Sequence, residues 1–167
     1  MKWLIIVVIL LSFSGISSCS EQEGSKPSDS RDGGPAAVIT VEQEISVGKP
    51  VVVDGLSPVT RFAVVFEDDG DTGYFYGLDT TRKDNRILDA LHIYDVKGVT
   101  DGDVPSVVQI MWSTDGLKSA LLINKYPHAI FDFEAKRAYC RTAFPPPIES
   151  WSAEGHEWDD KALGLFK

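Results

Sequence analysis

Cysteine is scarce in this chain: Cys19 and Cys140 are the only two in 167 residues, so no disulfide framework is available. Long apolar runs are missing too. The longest, Trp3 to Phe13 (WLIIVVILLSF), is eleven residues broken only by Ser12, whereas a bilayer-spanning helix needs about 20. Catalytic signatures are absent: there is no Gly-x-Ser-x-Gly elbow, no Cys-x-x-Cys and no phosphate-cradling glycine loop. Histidine occurs three times, at His92, His128 and His156. The stretch His156-Glu157-Trp158-Asp159-Asp160 opens like a zincin helix but lacks a second His at the fifth position. A hydrolase or metal-dependent enzyme built on His92 or His128 is therefore the least favoured reading, and no cofactor or metal is expected.

What is present begins with an address. Lys2 supplies a positive n-region, Trp3 to Phe13 has the length of a secretory h-region, and Ser14-Gly15-Ile16-Ser17-Ser18 leads to Cys19. Ile-Ser-Ser-Cys resembles the bacterial lipobox, in which small residues precede a cysteine that is acylated before cleavage. The resemblance implies a signal peptide over residues 1–18 and a mature chain beginning at lipidated Cys19, carrying thioether-linked diacylglycerol and an N-terminal acyl chain. Two such attachments anchor far more firmly than one chain. In Gram-negative lipoproteins an Asp after the cysteine favours the inner membrane, so Ser20 points to the outer membrane, facing the periplasm.

Ser20 to Ala37 (SEQEGSKPSDSRDGGPAA) contains no bulky apolar residue, cannot bury a core and reads as a flexible tether. The remaining residues, 38–167, suit one globular domain. Setting aside the acids Glu21, Glu23, Asp29 and Asp32 and the bases Lys2, Lys26 and Arg31 leaves 21 acids and 13 bases, a net charge of −8. Such a surface repels nucleic acid and anionic headgroups and favours either simple solubility or a basic partner. With Cys19 lipidated, Cys140 has no partner for a disulfide; alternation in Arg137-Ala-Tyr-Cys-Arg-Thr142 places it beside Ala138 as a small buried hydrophobe.

Periodicity predicts a mainly β domain, with α+β as the alternative: an antiparallel meander or sandwich of eight or nine short strands and at most one or two short helices. Residues 37–47 and 50–53 read as strands joined at Gly48. Residues 61–67 and 73–78 read as a hairpin around Asp-Asp-Gly-Asp, where Asp-Gly tolerates the positive φ of a tight turn. Residues 106–113, 118–124, 129–133 and 137–142 form a meander punctuated by Asp115-Gly116, Tyr126-Pro127 and Glu134-Ala-Lys136. In Asp84 to Val96, Ile87, Leu88, Leu91 and Tyr94 share a helical stripe, which predicts a helical turn passing into a strand near Leu91. Phe144-Pro145-Pro146-Pro147 reads as extended, and the tail to Lys167, with Trp151 and Trp158, is expected to fold back on the sheet, with a short helix from about Asp159.

The densest chemistry lies at Glu67-Asp68-Asp69-Gly70-Asp71-Thr72-Gly73. Its alternating carboxylates start like a calcium loop, but Thr72 stands at the sixth position and Leu78 at the twelfth, so the register fails. A solvated turn, a weak calcium site and an acidic contact surface all remain open. In Gly73-Tyr74-Phe75-Tyr76-Gly77, alternation sends Phe75 to one face and both tyrosines to the other, as core or as an exposed pair suited to binding protein. Glu67, Asp68, Asp69, Asp71, Tyr74 and Tyr76 are the candidate partner-binding residues, beside Cys19 for lipidation.

Taken together, Phe62 to Tyr76, Leu88-Asp-Ala-Leu-His-Ile-Tyr94, Trp112-Ser-Thr-Asp-Gly116, Leu121-Leu-Ile-Asn124, His128-Ala-Ile-Phe-Asp-Phe133 and Phe144-Pro-Pro-Pro147 resemble a family of small bacterial proteins known as a domain of unknown function. The likeness spans about Arg61 to Trp158 and implies no activity, cofactor or catalytic residue. Small acidic bacterial domains of this kind resemble immunity proteins, and those guarding the periplasm are often lipid-anchored. The expected function is thus a membrane-anchored lipoprotein whose acidic domain binds a protein, in one form an immunity-type inhibitor of a toxin, with an envelope structural or assembly role as the alternative.

Overall fold

Alternating apolar residues and left-handed turn positions divide the described residues into nine strands: β1 Ala37–Ile45, β2 Val51–Leu56, β3 Phe62–Asp68, β4 Thr72–Asp79, β5 Ile87–Asp95, β6 Ser106–Ser113, β7 Lys118–Ile123, β8 Tyr126–Asp132 and β9 Arg137–Cys140. The computed structural model describes residues 37–167; the expected signal peptide, Cys19 and all but the last residue of the expected tether lie outside the described residues. A 3-10 turn at Val96–Gly98 and a 3-10 helix at Asp160–Phe166 are the helical pieces among them. The domain is mainly β, as the periodicity predicts.

The strands form two antiparallel sheets, a five-stranded one in the order β1-β6-β7-β8-β9 and a four-stranded one in the order β2-β3-β4-β5. β1 and β2 are consecutive yet belong to different sheets. The connection through Gly48, whose φ is +80°, carries the chain across. Between the sheets lie Val53, Val64, Phe66, Phe75 and Leu91 from one side and Val108, Ile110, Trp112, Leu121 and Phe131 from the other, all almost fully buried. Two glycines let the sheets approach closely. A Cβ on Gly55 would come within 2.7 Å of Ile110, and one on Gly77 within 2.9 Å of Phe131.

Aromatic rings dominate this core. Phe133 stacks on Phe62 at 4.4 Å and on Trp112 at 5.6 Å, and Trp151 from the C-terminal segment meets Phe131 edge-on at 5.8 Å. The tail does fold back. A second cluster covers the outer face of the five-stranded sheet, where Ala120 and Ile130 pack under Ala162, Trp158, Leu165 and Phe166. Arg141 fastens that cover: its guanidinium lies 4.3 Å from the Tyr126 ring and 4.1 Å from the Trp158 ring, and its Nε donates to the Pro127 carbonyl at 2.7 Å.

Two local expectations are corrected. No helical turn precedes β5, which runs as a strand from Ile87. Its pairing with β4 skips Leu88 and Ile93, two bulged residues that break the period of two and mimic helical spacing. The turn between β7 and β8 is Asn124-Lys125, both at positive φ, and not Tyr126-Pro127. Pro127 sits inside β8 at a bulge, where a missing N–H is tolerated.

Candidate functional site

The outer face of the four-stranded sheet holds Glu67, Tyr74 and Tyr76 of the residues singled out by sequence. Cross-strand pairing places Val52, Glu67, Tyr74 and His92 in one row and Asp54, Val65, Tyr76 and Ala90 in the next. Tyr74 and Tyr76 stack at 5.9 Å, His92 meets Tyr74 edge-on at 5.2 Å, and Phe144 meets His92 edge-on at 5.8 Å. Both tyrosines therefore lie on the outer side of the sheet, opposite to Phe75, but Tyr76 is buried there at 7% exposure and Tyr74 is only half-buried, and the row gains two rings that the local pattern did not single out. His92 Nε2 lies 3.3 Å from Asp95 Oδ1.

Charge surrounds these rings on one side. Burial raises the Tyr74 hydroxyl above its ordinary range, with the Asp95 and Asp69 carboxylates adding to it. Burial raises Tyr76 too, reinforced by the charge of Glu67 and a hydrogen bond to it. Both phenols thus stay protonated donors at any physiological pH.

The acidic residues divide into different roles. Asp69 organises the turn, its Oδ1 accepting from the Asp71 and Thr72 amides at 2.9 and 2.7 Å. Asp69 and Asp71 are exposed. Asp68 is apart from them: it is 1% exposed, and its carboxylate accepts from the Gly48 amide, the Gly70 amide and the Tyr94 hydroxyl, each at 2.8 Å. It ties the β1–β2 connection, the hairpin tip and β5 together, so a partner on the surface cannot reach it. The alternation of Phe62, Val64, Phe66 and Asp68, all pointing inward, carries that information in the sequence.

The three histidines are scattered. His128 lies in β8 beside the Tyr126 ring at 5.4 Å, not in a turn, and burial lowers its pKa, with Arg141 adding to the effect. His156 forms a pair that sequence reasoning missed. Its Nε2 is 2.9 Å from Asp89 Oδ2, with both side chains at most 1% exposed. Asp89 Oδ1 also accepts from the Ala90 and Ile148 amides at 2.9 and 3.3 Å. The Cys140 thiol donates to the His92 carbonyl at 2.9 Å, and burial pushes its pKa up. A buried thiol directed at a carbonyl is packing rather than a nucleophile. Among the described residues no group of three or more His, Cys, Asp or Glu side chains is placed to hold a metal ion.

A family model described as "Uncharacterized protein conserved in bacteria (DUF2251)" matches residues 45–167, from the end of β1 to the C-terminus. The chain belongs to this bacterial family. The match includes the whole C-terminal segment, so the cover over the five-stranded sheet falls within the family region. An uncharacterized protein of Haemophilus influenzae is 40% identical over 119 residues, covering 70% of this chain and 74% of that relative. No solved structure matches the chain.

Proposed function

We propose that this chain is a lipoprotein of the bacterial cell envelope whose domain binds a protein partner through the outer face of the four-stranded sheet. One observation carries the reading: the C-terminal segment covers the outer face of the five-stranded sheet, whereas among the described residues no segment packs across the outer face of the other sheet in the same way. On that open face Val52 is 52% exposed and Leu56 57%, and Phe144 at its margin is 51% exposed. Exposed apolar and aromatic groups rimmed by Glu67, Asp69 and Asp71 match the make-up of protein-binding surfaces. The Ile-Ser-Ser-Cys19 sequence supports the envelope address, and Ser20 supports the outer membrane if the source is Gram-negative. Among the described residues no helix is long and apolar enough to cross a membrane.

The partner is a protein of the same compartment: a toxin in the immunity form, another envelope component in the assembly form. The test is capture from intact cells by the full chain, compared with a Glu67→Lys, Asp69→Lys, Asp71→Lys variant. Loss of one defined partner in the variant supports the reading. Equal recovery of every partner by the two chains overturns it.

A further inference from the structure

Each sheet has two outer strands, and unpaired strand edges invite another strand unless they are guarded. Three of the four are guarded here. β1 carries a bulge at Thr40 and the polar run Glu42-Gln43-Glu44. β5 is closed by the segment after β9, with the Thr142 hydroxyl donating to the His92 carbonyl at 2.6 Å and the His92 amide donating to the Phe144 carbonyl at 2.9 Å. β9 is bridged in parallel by Glu157, and the Cys140 amide donates to the His156 carbonyl at 2.8 Å. Among the described residues nothing covers the outer edge of β2, and Val-Val-Val-Asp-Gly-Leu contains no bulge, lysine or proline, its single charge being Asp54.

The hydrogen-bond phase identifies which groups of β2 are open. The Ser57 amide donates to the Phe62 carbonyl at 3.0 Å, and the register runs without interruption from there to Val51 and Asp68. Val51, Val53 and Gly55 therefore turn their amides and carbonyls toward β3, and Val52, Asp54 and Leu56 turn theirs away. The side chains of those same three residues stand exposed on the outer face.

We propose that the outer edge of β2, unpaired among the described residues, accepts an extended segment of the protein partner as a fifth strand, with apolar, basic and apolar side chains at alternate positions. This rests on the protein-binding reading above and names the segment that reading leaves open. Strand addition satisfies the outward amides and carbonyls, the apolar residues pack beside Val52 and Leu56, and the basic residue stands opposite Asp54. A second copy is disfavoured as occupant, because antiparallel pairing centred on β2 sets Asp54 against Asp54. The chain's own Ser20 to Ala36 offers no bulky apolar residue to lie beside Val52 and Leu56.

The test uses the full mature chain in detergent micelles and a labelled peptide, acetyl-Thr-Val-Thr-Lys-Thr-Val-Thr-amide, with a second peptide in which Glu replaces Lys. Anisotropy should show the Lys peptide binding about tenfold more tightly than the Glu peptide. Its binding should slow amide exchange at Val52, Asp54 and Leu56. Asp54→Pro, which deletes an outward amide and spares the ladder to β3, should abolish binding, and Asp54→Lys should reverse the preference toward the Glu peptide. Tyr74→Arg should leave peptide binding intact while weakening capture of the cellular partner, so failure of the edge and failure of the face give different results. Equal binding of the two peptides overturns the proposal. So does protection of the three amides before peptide is added, whether independent of concentration, meaning the chain's own tether, or rising with it, meaning a second copy.

Discussion

Replacing Asp89 should loosen the C-terminal segment before it damages either sheet. The carboxylate accepts from three donors: the His156 ring at 2.9 Å, the Ala90 amide at 2.9 Å and the Ile148 amide at 3.3 Å. Two of these donors belong to the segment after β9. Asp89→Ala would leave the His156 imidazole buried with neither ring nitrogen bonded, since Nδ1 already has no partner among the described residues. Breaking one side of a buried pair of this kind costs about 3 to 5 kcal/mol, which lowers the melting temperature of a domain this size by roughly 10 °C or more. Urea unfolding monitored by tryptophan emission gives the global cost. Amide exchange gives its location: Cys140, bonded to the His156 carbonyl, and Trp151, bonded to the Ile148 carbonyl, should lose protection ahead of the sheet amides. The double variant Asp89→Leu, His156→Leu should cost clearly less than the two single leucine variants added together, because it leaves neither group buried alone. A single-variant cost below about 1 kcal/mol, or additive costs, would refute the role given to this pair.

Two further predictions concern local devices. Asp115 is held down at a pKa of about 2 from an ordinary 3.8, chiefly by the Ser113 hydroxyl and also by the Leu117 amide and Lys118. Its folded-state value is depressed, so its contribution is complete above about pH 4 and fades as pH falls toward 2; Asp115→Asn should flatten the stability profile in that window, seen in urea midpoints against pH. Arg141→Lys should lose the planar stacking between Tyr126 and Trp158 at a cost of about 1 kcal/mol and shift Trp158 emission to the red, because a compact ammonium cannot replace a stacked guanidinium.

The hairpins were legible because their chemistry is local. Asp-Asp-Gly-Asp places Gly70 at φ +96°, and Asp115-Gly116 places Gly116 at +68°, as short turns require. The helical stripe over Ile87 to Tyr94 misled because Leu88 and Ile93 are bulged against β4, a long-range register that no window of β5 contains. Tyr126-Pro127 misled in a similar way: proline signals a turn when read alone, but a bulge against β7 gives it a place in a strand. For the candidate face, alternation alone separated Tyr74 and Tyr76 from Phe75. It also contained the inward direction of Asp68, which the cluster of acids obscured. Asp89 and His156 lie 67 residues apart, and only the folded chain brings them together. The guarding of three sheet edges depends on the same long-range closure.

The central claim, that the open face of the four-stranded sheet meets a protein partner in the envelope, is tested most directly by photo-cross-linking in living cells. A photoreactive phenylalanine analogue at Tyr74 of the full chain should give one discrete adduct in the membrane fraction, absent when it stands at Leu165 within the C-terminal cover. No adduct from Tyr74, or the same adducts from both positions, would contradict the account.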